Sequence, residues 1–563
     1  MSNYQNEGTE QTKAWIKKND RLKGERGVWE TIWQEIAEHV FPRKAGITQK
    51  DYTPNNQRDA YLYDITAKDS LERAVAGYMT WTTDKSQPWF ELTPTLQHRN
   101  SEPVKNWLRE CSMLGAEYVA NSNFYAERHE SLFDKWGFGT DCLFSQVTPD
   151  RQTRFEKIRI GTYVFWTDWM GRAEGLIREF DLTASQAEGQ FGLENLPECI
   201  MAALTNGTGK KFTFLHIVEP RPAKDRGDGT GYEVGKRKPF LSAYVEKTSC
   251  KIVQEGGFDS FPFTVGRFLK WDAMGSETDW GFGPGFSLLP ESRQLNFMAK
   301  MMDVHSEKTV FPPLMVPDTY EGTLKTSARA INFYPAGVGA DSIYPLQVTG
   351  DWTVAMDRLK MRQEMIKRVC HLDMFQMFAQ NAAANREMTA YEASQLAGEK
   401  LEAISPAFDR DTTESISPHV IRCFEGWAEN GMLPPPPEEA IVQIGPSLIQ
   451  VPNPTVTMTN RLALALRALS MRSADNHIQS VLSIAAIVPD IVDTVNFDFY
   501  SSERARLAGC DPHLLRPMEE VAQMRQARAQ AAQAQQAAMM AKEIAGAVKN
   551  VGGVEKAREL VGG

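Results

Sequence analysis

Residues 287–310, SLLPESRQLNFMAKMMDVHSEKTV, and residues 351–378, DWTVAMDRLKMRQEMIKRVCHLDMFQMF, are two long helical patterns separated by a segment of different texture. In the first, Leu288, Leu295, Met298, Met302 and His305 recur at helical intervals, and Pro290 suits a first turn. At 1.5 Å rise per residue, each pattern spans about 35 to 40 Å. Between them, residues 311–350 are punctuated by Pro and Gly, with strand-like runs AINFYP (330–335) and IYPLQV (343–348). The centre of the chain therefore reads as helix, small β module, helix.

Upstream, Trp29, Trp33, Ile36 and Val40 line one face of a helix expected over Thr12–Val40 and stopped by Phe41-Pro42. A second helix is expected over Asp64–Thr82, carrying Ile65, Leu71, Val75 and Tyr78 and followed by the strand-like WFELTP (89–94). Helical stretches follow at Pro103–Asn121 and Phe124–Trp136. From Gly139 to Lys270, runs such as KFTFLHIVEPRP (211–222) and PFLSAYVEK (239–247) alternate with Gly, Asp and Pro, the texture of an antiparallel β region. One helix interrupts it at DLTASQAEGQFG (181–192), with Thr183 as N-cap.

Downstream, the loop QNAAANREMT (380–389) leads to a helical stretch over Thr389–Asn430, where Pro406 and Pro418 predict a kink or break. Gly431 suits the position just past a helix end, before the Pro434–Pro437 run. Strand-like AIVQIG (440–445) and TVTMT (455–459) precede a helical region over Asn460–Ile487. The chain ends, from Pro517, in a stretch rich in Ala, Gln and Met, with little bulky apolar surface. Such a helix gains stability from copies of itself or frays. The fold class is α+β, mainly helical, and a chain of 563 residues is too long for one core.

A net charge of -10 argues against a general nucleic-acid clamp, which would neutralise phosphates with Lys and Arg. Any DNA this chain meets should slide. No run approaches the roughly 20 apolar residues of a membrane helix, and the polar N-terminus carries no signal-peptide core, so a soluble, non-secreted product is expected. The 7 cysteines are scattered without a CxxC pair, which disfavours structural zinc and a disulfide framework.

Catalytic signatures fail on their spacing. GDGTGYEVGK (227–236) fails as a phosphate cradle, because Thr230 stands where the first Gly is needed and Arg237 where Ser or Thr is needed. GFGPGF (281–286) puts Phe286 at the third glycine of a dinucleotide fingerprint and reads better as a turn feeding a helix. Neither HExxH nor GxSxG occurs, and the 9 histidines do not cluster; His305 and His371 each sit alone in an expected helix. The acidic pairs Glu277 with Asp279 and Asp490 with Asp493 lack a partner acid, base or nucleophile. Trp166, Trp169 and Phe180 suggest core or interface burial more than a sugar or base platform. No catalytic, cofactor-binding or metal residue is assigned, and no cofactor is expected.

Several segments, in order, resemble the podovirus head-to-tail connecting, or portal, proteins. They include RGVWETIWQEIAEHVFPR (26–43), YDITAKDSLERAVAGYMTWTTDKSQPWFELTP (63–94), FWTDWMGRAEGLIREFDLTASQAEGQFG (165–192), FLHIVEPRP (214–222) and GFDSFPFTVGRFLKW (257–271). GFGPGFSLLPESRQLN (281–296), REMTAYEAS (386–394) and the segment 496–533 continue the series, while VTMTNRLALALRALS (456–470) follows the pattern only loosely.

The resemblance implies a viral portal fold. Its wing would be residues 1–282, its stem helices 283–310 and 351–379, and its clip 311–350. A tunnel loop would occupy 380–388, a wing long helix and following strands 389–459, the crown 460–516, and a C-terminal helical barrel or disordered tail 517–563. It implies a ring of twelve copies that passes double-stranded DNA during packaging and ejection. Asn381, Asn385 and Arg386 are the DNA-channel candidates. Thr326, Arg329, Asn332, Tyr334 and Tyr344 are the clip candidates for docking the terminase large subunit and then the tail adaptor protein. Major capsid and scaffolding proteins are further implied partners, without membrane insertion. The implied place is the portal vertex of the virion, after assembly in the bacterial host cytoplasm. The alternatives are a virion-associated cell-wall or polysaccharide hydrolase, needing two opposed carboxylates on a groove, and a non-portal adaptor or scaffolding protein.

Overall fold

The structure, a computed structural model, describes residues 2–48, 62–99, 101–148, 150–207, 209–222, 238–271, 278–315, 323, 344–345, 352–373, 403–443, 449–450, 453–485, 488–507, 516 and 518–561. It is mixed helix and sheet and divides into two compact units, Met1–Ala465 and Leu466–Gly563.

The first unit opens with helix α1 (Ser2–Val40), whose Trp29, Trp33, Ile36 and Val40 are all buried. The expected stop follows, as Pro42 begins a short 3-10 turn. Helix α2 spans Thr66–Thr82 and buries Leu71, Val75 and Tyr78. The helix starts two residues later than the expected Asp64: the Asp64 side chain accepts the Thr66 N–H at 2.7 Å, and Ile65 is the exposed N-cap residue. Strand β1 (Phe90–Thr93) and helices α3 (Glu102–Ala120) and α4 (Phe124–Phe138) come next.

The β region holds β2 (Thr140–Val147), β3 (Thr153–Lys157), β4 (Tyr163–Thr167), β5 (Ala173–Thr183), β6 (Lys211–Pro220), β7 (Phe240–Glu246), β8 (Lys251–Phe258) and β9 (Phe263–Arg267). They form two antiparallel sheets, β3-β2-β9 and β4-β5-β6-β7-β8. Alternation along the strands gives the larger sheet two apolar faces. Leu215, Ile217, Ala243 and Val245 pack with Trp15 of α1, while Phe212, Phe214 and Val253 pack with two helices, α5 (Ala184–Phe191) and α6 (Glu198–Thr205). Thr183 caps α5 in a reciprocal capping box with Gln186. One helix is expected here from the sequence; α6 is a second, and ECIMAALT is too short to announce itself without the cluster of α5 and sheet residues that buries Ile200.

After the two-residue strands β10 (Leu269–Lys270) and β11 (Gly281–Phe282) comes helix α7 (Pro284–Val310). Its first-turn proline is Pro284, so Pro290 lies inside the helix and not in its first turn. Strands β12 (Leu314–Met315) and β13 (Tyr344–Pro345) pair, and helix α8 covers Trp352–Val369. The expected helix to Phe378 is broken earlier: Cys370 and His371 form a turn, with His371 at φ 51. Cys370 and Leu372 are both buried, and a continuous helix would point them about 200° apart. The left-handed residue lets both face inward.

Residues 403–411 are helical, a π turn occupies Thr412–Ile416, and α9 continues over Ser417–Glu429. The predicted interruption thus falls just before Pro418, which cannot supply the bond a straight helix needs. Gly431 takes φ 62, its N–H reaches Ala428 O at 3.1 Å and that of Met432 reaches Trp427 O at 2.9 Å. This is the glycine helix stop expected there. Strands β14 (Val442–Gln443), β15 (Ile449–Gln450) and β16 (Thr455–Met458) follow, and β16 pairs with β1.

Helix α10 (Arg461–Ala485) starts on Asn460, whose side chain accepts the Ala463 N–H at 2.8 Å. The second unit continues with a 3-10 turn (Pro489–Thr494), α11 (Phe497–Leu507) and α12 (Met518–Val561). Arg525 of α12 holds Asp498 of α11, with NH2 to Oδ1 at 2.6 Å. Beyond that contact, the described side chains of α12 are almost all exposed.

Candidate channel and docking elements

Helices α7 and α8 run antiparallel around the β12/β13 ribbon. Arg362 reaches Glu291 at 2.6 Å, and the His305 ring stacks on Trp352 with centroids 5.6 Å apart. The lower half of α7 is rooted in the first unit by buried Leu288, Leu289 and Leu295, by Ser292 donating to His39 O, and by Arg293 against Glu35 at 2.7 Å. Ile366 and Cys370 root α8, and Gln363 donates to Asp64. From Asn296 to Val310, α7 buries no residue. The pair therefore leaves the core carrying a short β ribbon at its far end, as the sequence pattern anticipated.

In that ribbon Met315 pairs with Tyr344. Tyr344 is the one docking candidate among the described residues. Thr326, Arg329, Asn332 and Tyr334 lie outside them, as do the channel candidates Asn381, Asn385 and Arg386.

The helix that returns after those channel candidates is fixed by a buried charge cluster that no sequence signal revealed. The Asp411 carboxylate, one residue before the π turn, accepts from Arg128 and Lys135 of α4 and from the Tyr78 hydroxyl at 2.9 Å. Lys135 also meets Asp141 of β2 at 3.1 Å and donates to Ser415 at 2.7 Å, and Ser131 donates to Asp141. All four charges are buried. Burial alone would raise the Asp411 pKa, but the Arg128 guanidinium and Lys135 ammonium outweigh it and bring the carboxyl down to about 2. Burial pushes the Tyr78 hydroxyl well up, reinforced by Asp411. A Cβ at Gly266 would overlap Ser415, Lys135 and Asp141, so a residue without a side chain is needed to close β9 over the cluster. Next to it, Arg267 grips Glu414 of the π turn, with NH2 to Oε1 at 2.9 Å.

Each charge in this cluster is spent on another, which suits a fixed joint and not an acid or base facing a substrate. Among the described residues, no group of His, Cys, Asp and Glu is placed to hold a metal. The GFGPGF motif is likewise structural. Side chains at Gly281 or Gly285 would collide with the backbone of Gly139 or Gly137, so the WGFG and GFGPGF segments pass backbone to backbone. The loop GDGTGYEVGK lies outside the described residues. Asp279 accepts from Thr167 at 2.6 Å.

A family profile described as bacteriophage head to tail connecting protein matches residues 12–515. The chain belongs to that family. The connector is similar to a probable portal protein of Bordetella phage BPP-1, at 26% identity over 547 residues, covering 96% of this chain and 95% of the relative. It is also similar to the portal protein of Salmonella phage epsilon15, at 25% identity over 548 residues, covering 95% and 94%. As a phage head-to-tail connector, it belongs to a structural family, not a family of enzymes, and membership implies a ring of copies linking capsid and tail at a capsid vertex. Among the described residues, no helix of the connector is long and apolar enough to cross a membrane.

Proposed function

We propose that this connector is the subunit of a non-enzymatic portal ring through which double-stranded DNA is packaged and later ejected. Residues 1–282 and 389–459 form its wing, α7 and α8 its stem, 311–350 its clip, and 460–516 its crown. The 44-residue α12 contributes to a terminal barrel. The clip docks the terminase large subunit during packaging and the tail adaptor afterwards, through Thr326, Arg329, Asn332, Tyr334 and Tyr344. Residues 380–388, with Asn381, Asn385 and Arg386, meet the DNA.

The observation that carries this reading is the rooted helix pair with a ribbon at its far end, in a chain matched to the connector family along most of its length. Closed heterologous contacts between identical subunits generate a channel. A net charge of -10 keeps the ring from clamping phosphates and arresting the duplex. Deleting 311–350 and joining the stem helices by a short linker tests it. Rings should assemble yet neither engage the motor nor join the tail; normal packaging by that deletion overturns the assignment.

A further inference from the structure

We infer that Trp169 is an anchor by which one copy of the chain grips the next in the ring, an inference that rests on the portal reading above. The β4–β5 hairpin turns over residues 168–172, DWMGR, and its tip is tightly built. Asp168 Oδ1 accepts the N–H groups of Met170 at 2.8 Å and Arg172 at 2.9 Å, and its Oδ2 accepts Arg172 Nε at 3.0 Å. Gly171 takes φ 78, and its N–H donates to Asp168 O at 2.9 Å.

Two further clamps hold the tip to the core. Arg267, already paired with Glu414, donates to Gly171 O at 2.8 Å, and Thr167 donates to Asp279. Trp166 and Phe180, the other aromatics of this run, are half-buried. Trp169, in contrast, is 92% exposed, with Met170 beside it at 53%.

Turn positions favour Gly, Asn, Asp or Ser, and a bare tryptophan there contributes nothing to its own subunit. What it does supply is a large side chain on a backbone that need not be ordered on binding, which is how binding anchors lower their entropic cost. A closed ring requires such a projection on one side of each copy and a receiving surface elsewhere on the same chain.

Charge identifies that surface. The Lys270 ammonium lies beside Gly171, giving the tip a basic flank. On α3, Glu110 and Glu117 are exposed one turn either side of Met113, which is itself 56% exposed, and the half-buried Arg109 is the one basic neighbour at helical spacing. An apolar spot with a net acidic rim thus faces outward on the same chain that carries an apolar knob with a basic flank. The next copy's α3 is the occupant we assign to Trp169.

The test uses the full chain in a Cys199→Ser background, which removes an exposed native thiol. Trp169→Cys and, separately, Met113→Cys are labelled with a maleimide as unassembled subunits and as DNA-free rings. Both thiols should react at least tenfold more slowly in rings, and Trp169→Ala should raise the concentration for half-assembly at least tenfold while leaving subunit unfolding unchanged. Either thiol reacting as fast in rings as in subunits overturns the contact, and a fast thiol at position 169 leaves that side chain facing an external partner, a capsid shell or a duplex. Failure of the unsubstituted chain to form rings sinks the portal reading itself, and this contact with it.

Discussion

Asp411 shows how much one residue holds in place. Replacing it with Asn leaves Arg128 and Lys135 buried without their main counter-charge, an imbalance that costs about 3–5 kcal/mol. Urea unfolding of the unassembled subunit should show a loss of that order, and a change below about 1 kcal/mol would contradict the paired-cluster account. The pH dependence has a definite sign. The folded-state pKa of about 2 lies below the ordinary value of 3.8, so the folded chain binds fewer protons in that interval. The stabilisation is fully present above the ordinary value and is lost as pH falls towards 2. Wild type and Asp411→Asn should therefore converge in stability between pH 4 and pH 2. None of this was legible in the sequence. Arg128 and Lys135 look like ordinary charges on an amphipathic helix, and their shared partner Asp411 lies 283 and 276 residues away. Trp29, Trp33, Leu71, Val75 and Tyr78 were legible, because a single face at helical spacing needs no tertiary information.

At the scale of elements, local chemistry decided where helices stop. Gly431 is left-handed with open space around it, so Gly431→Ala tests backbone strain alone. It should lower stability by about 1–2 kcal/mol, read as a shift in urea midpoint at unchanged slope. Equal stability would mean the helix end relaxes by another route. The α7–ribbon–α8 arrangement was readable from periodicity and proline punctuation, as was the break before Pro418. The end of α8 was not, because the turn at Cys370–His371 follows from burying Cys370 and Leu372 together, a requirement that only the packed neighbours impose. Helix α6 was missed for the same reason, since its buried Ile200 and Ala203 are explained only by the cluster they form with α5 and the sheet. For the site, the sequence indicated the helix-ribbon-helix frame and Tyr344 within it, while the joint around Asp411 emerged only from the fold.

On the scale of the whole molecule, α12 makes the strongest demand for copies. Where it is described, its Ala- and Gln-rich surface is nearly bare in the single chain, and helices of that composition are marginal alone. Amide hydrogen exchange across 518–561 should be fast in unassembled subunits and slowed at least tenfold in assembled rings. Equal exchange in both states would remove the barrel from the account.

The central claim, that function resides in a ring and not in the lone subunit, is tested most directly by native mass measurement combined with particle images of the purified full chain. The account predicts closed rings of a single copy number around an open axial channel. Monomers at every concentration, or open filaments that never close, would contradict it.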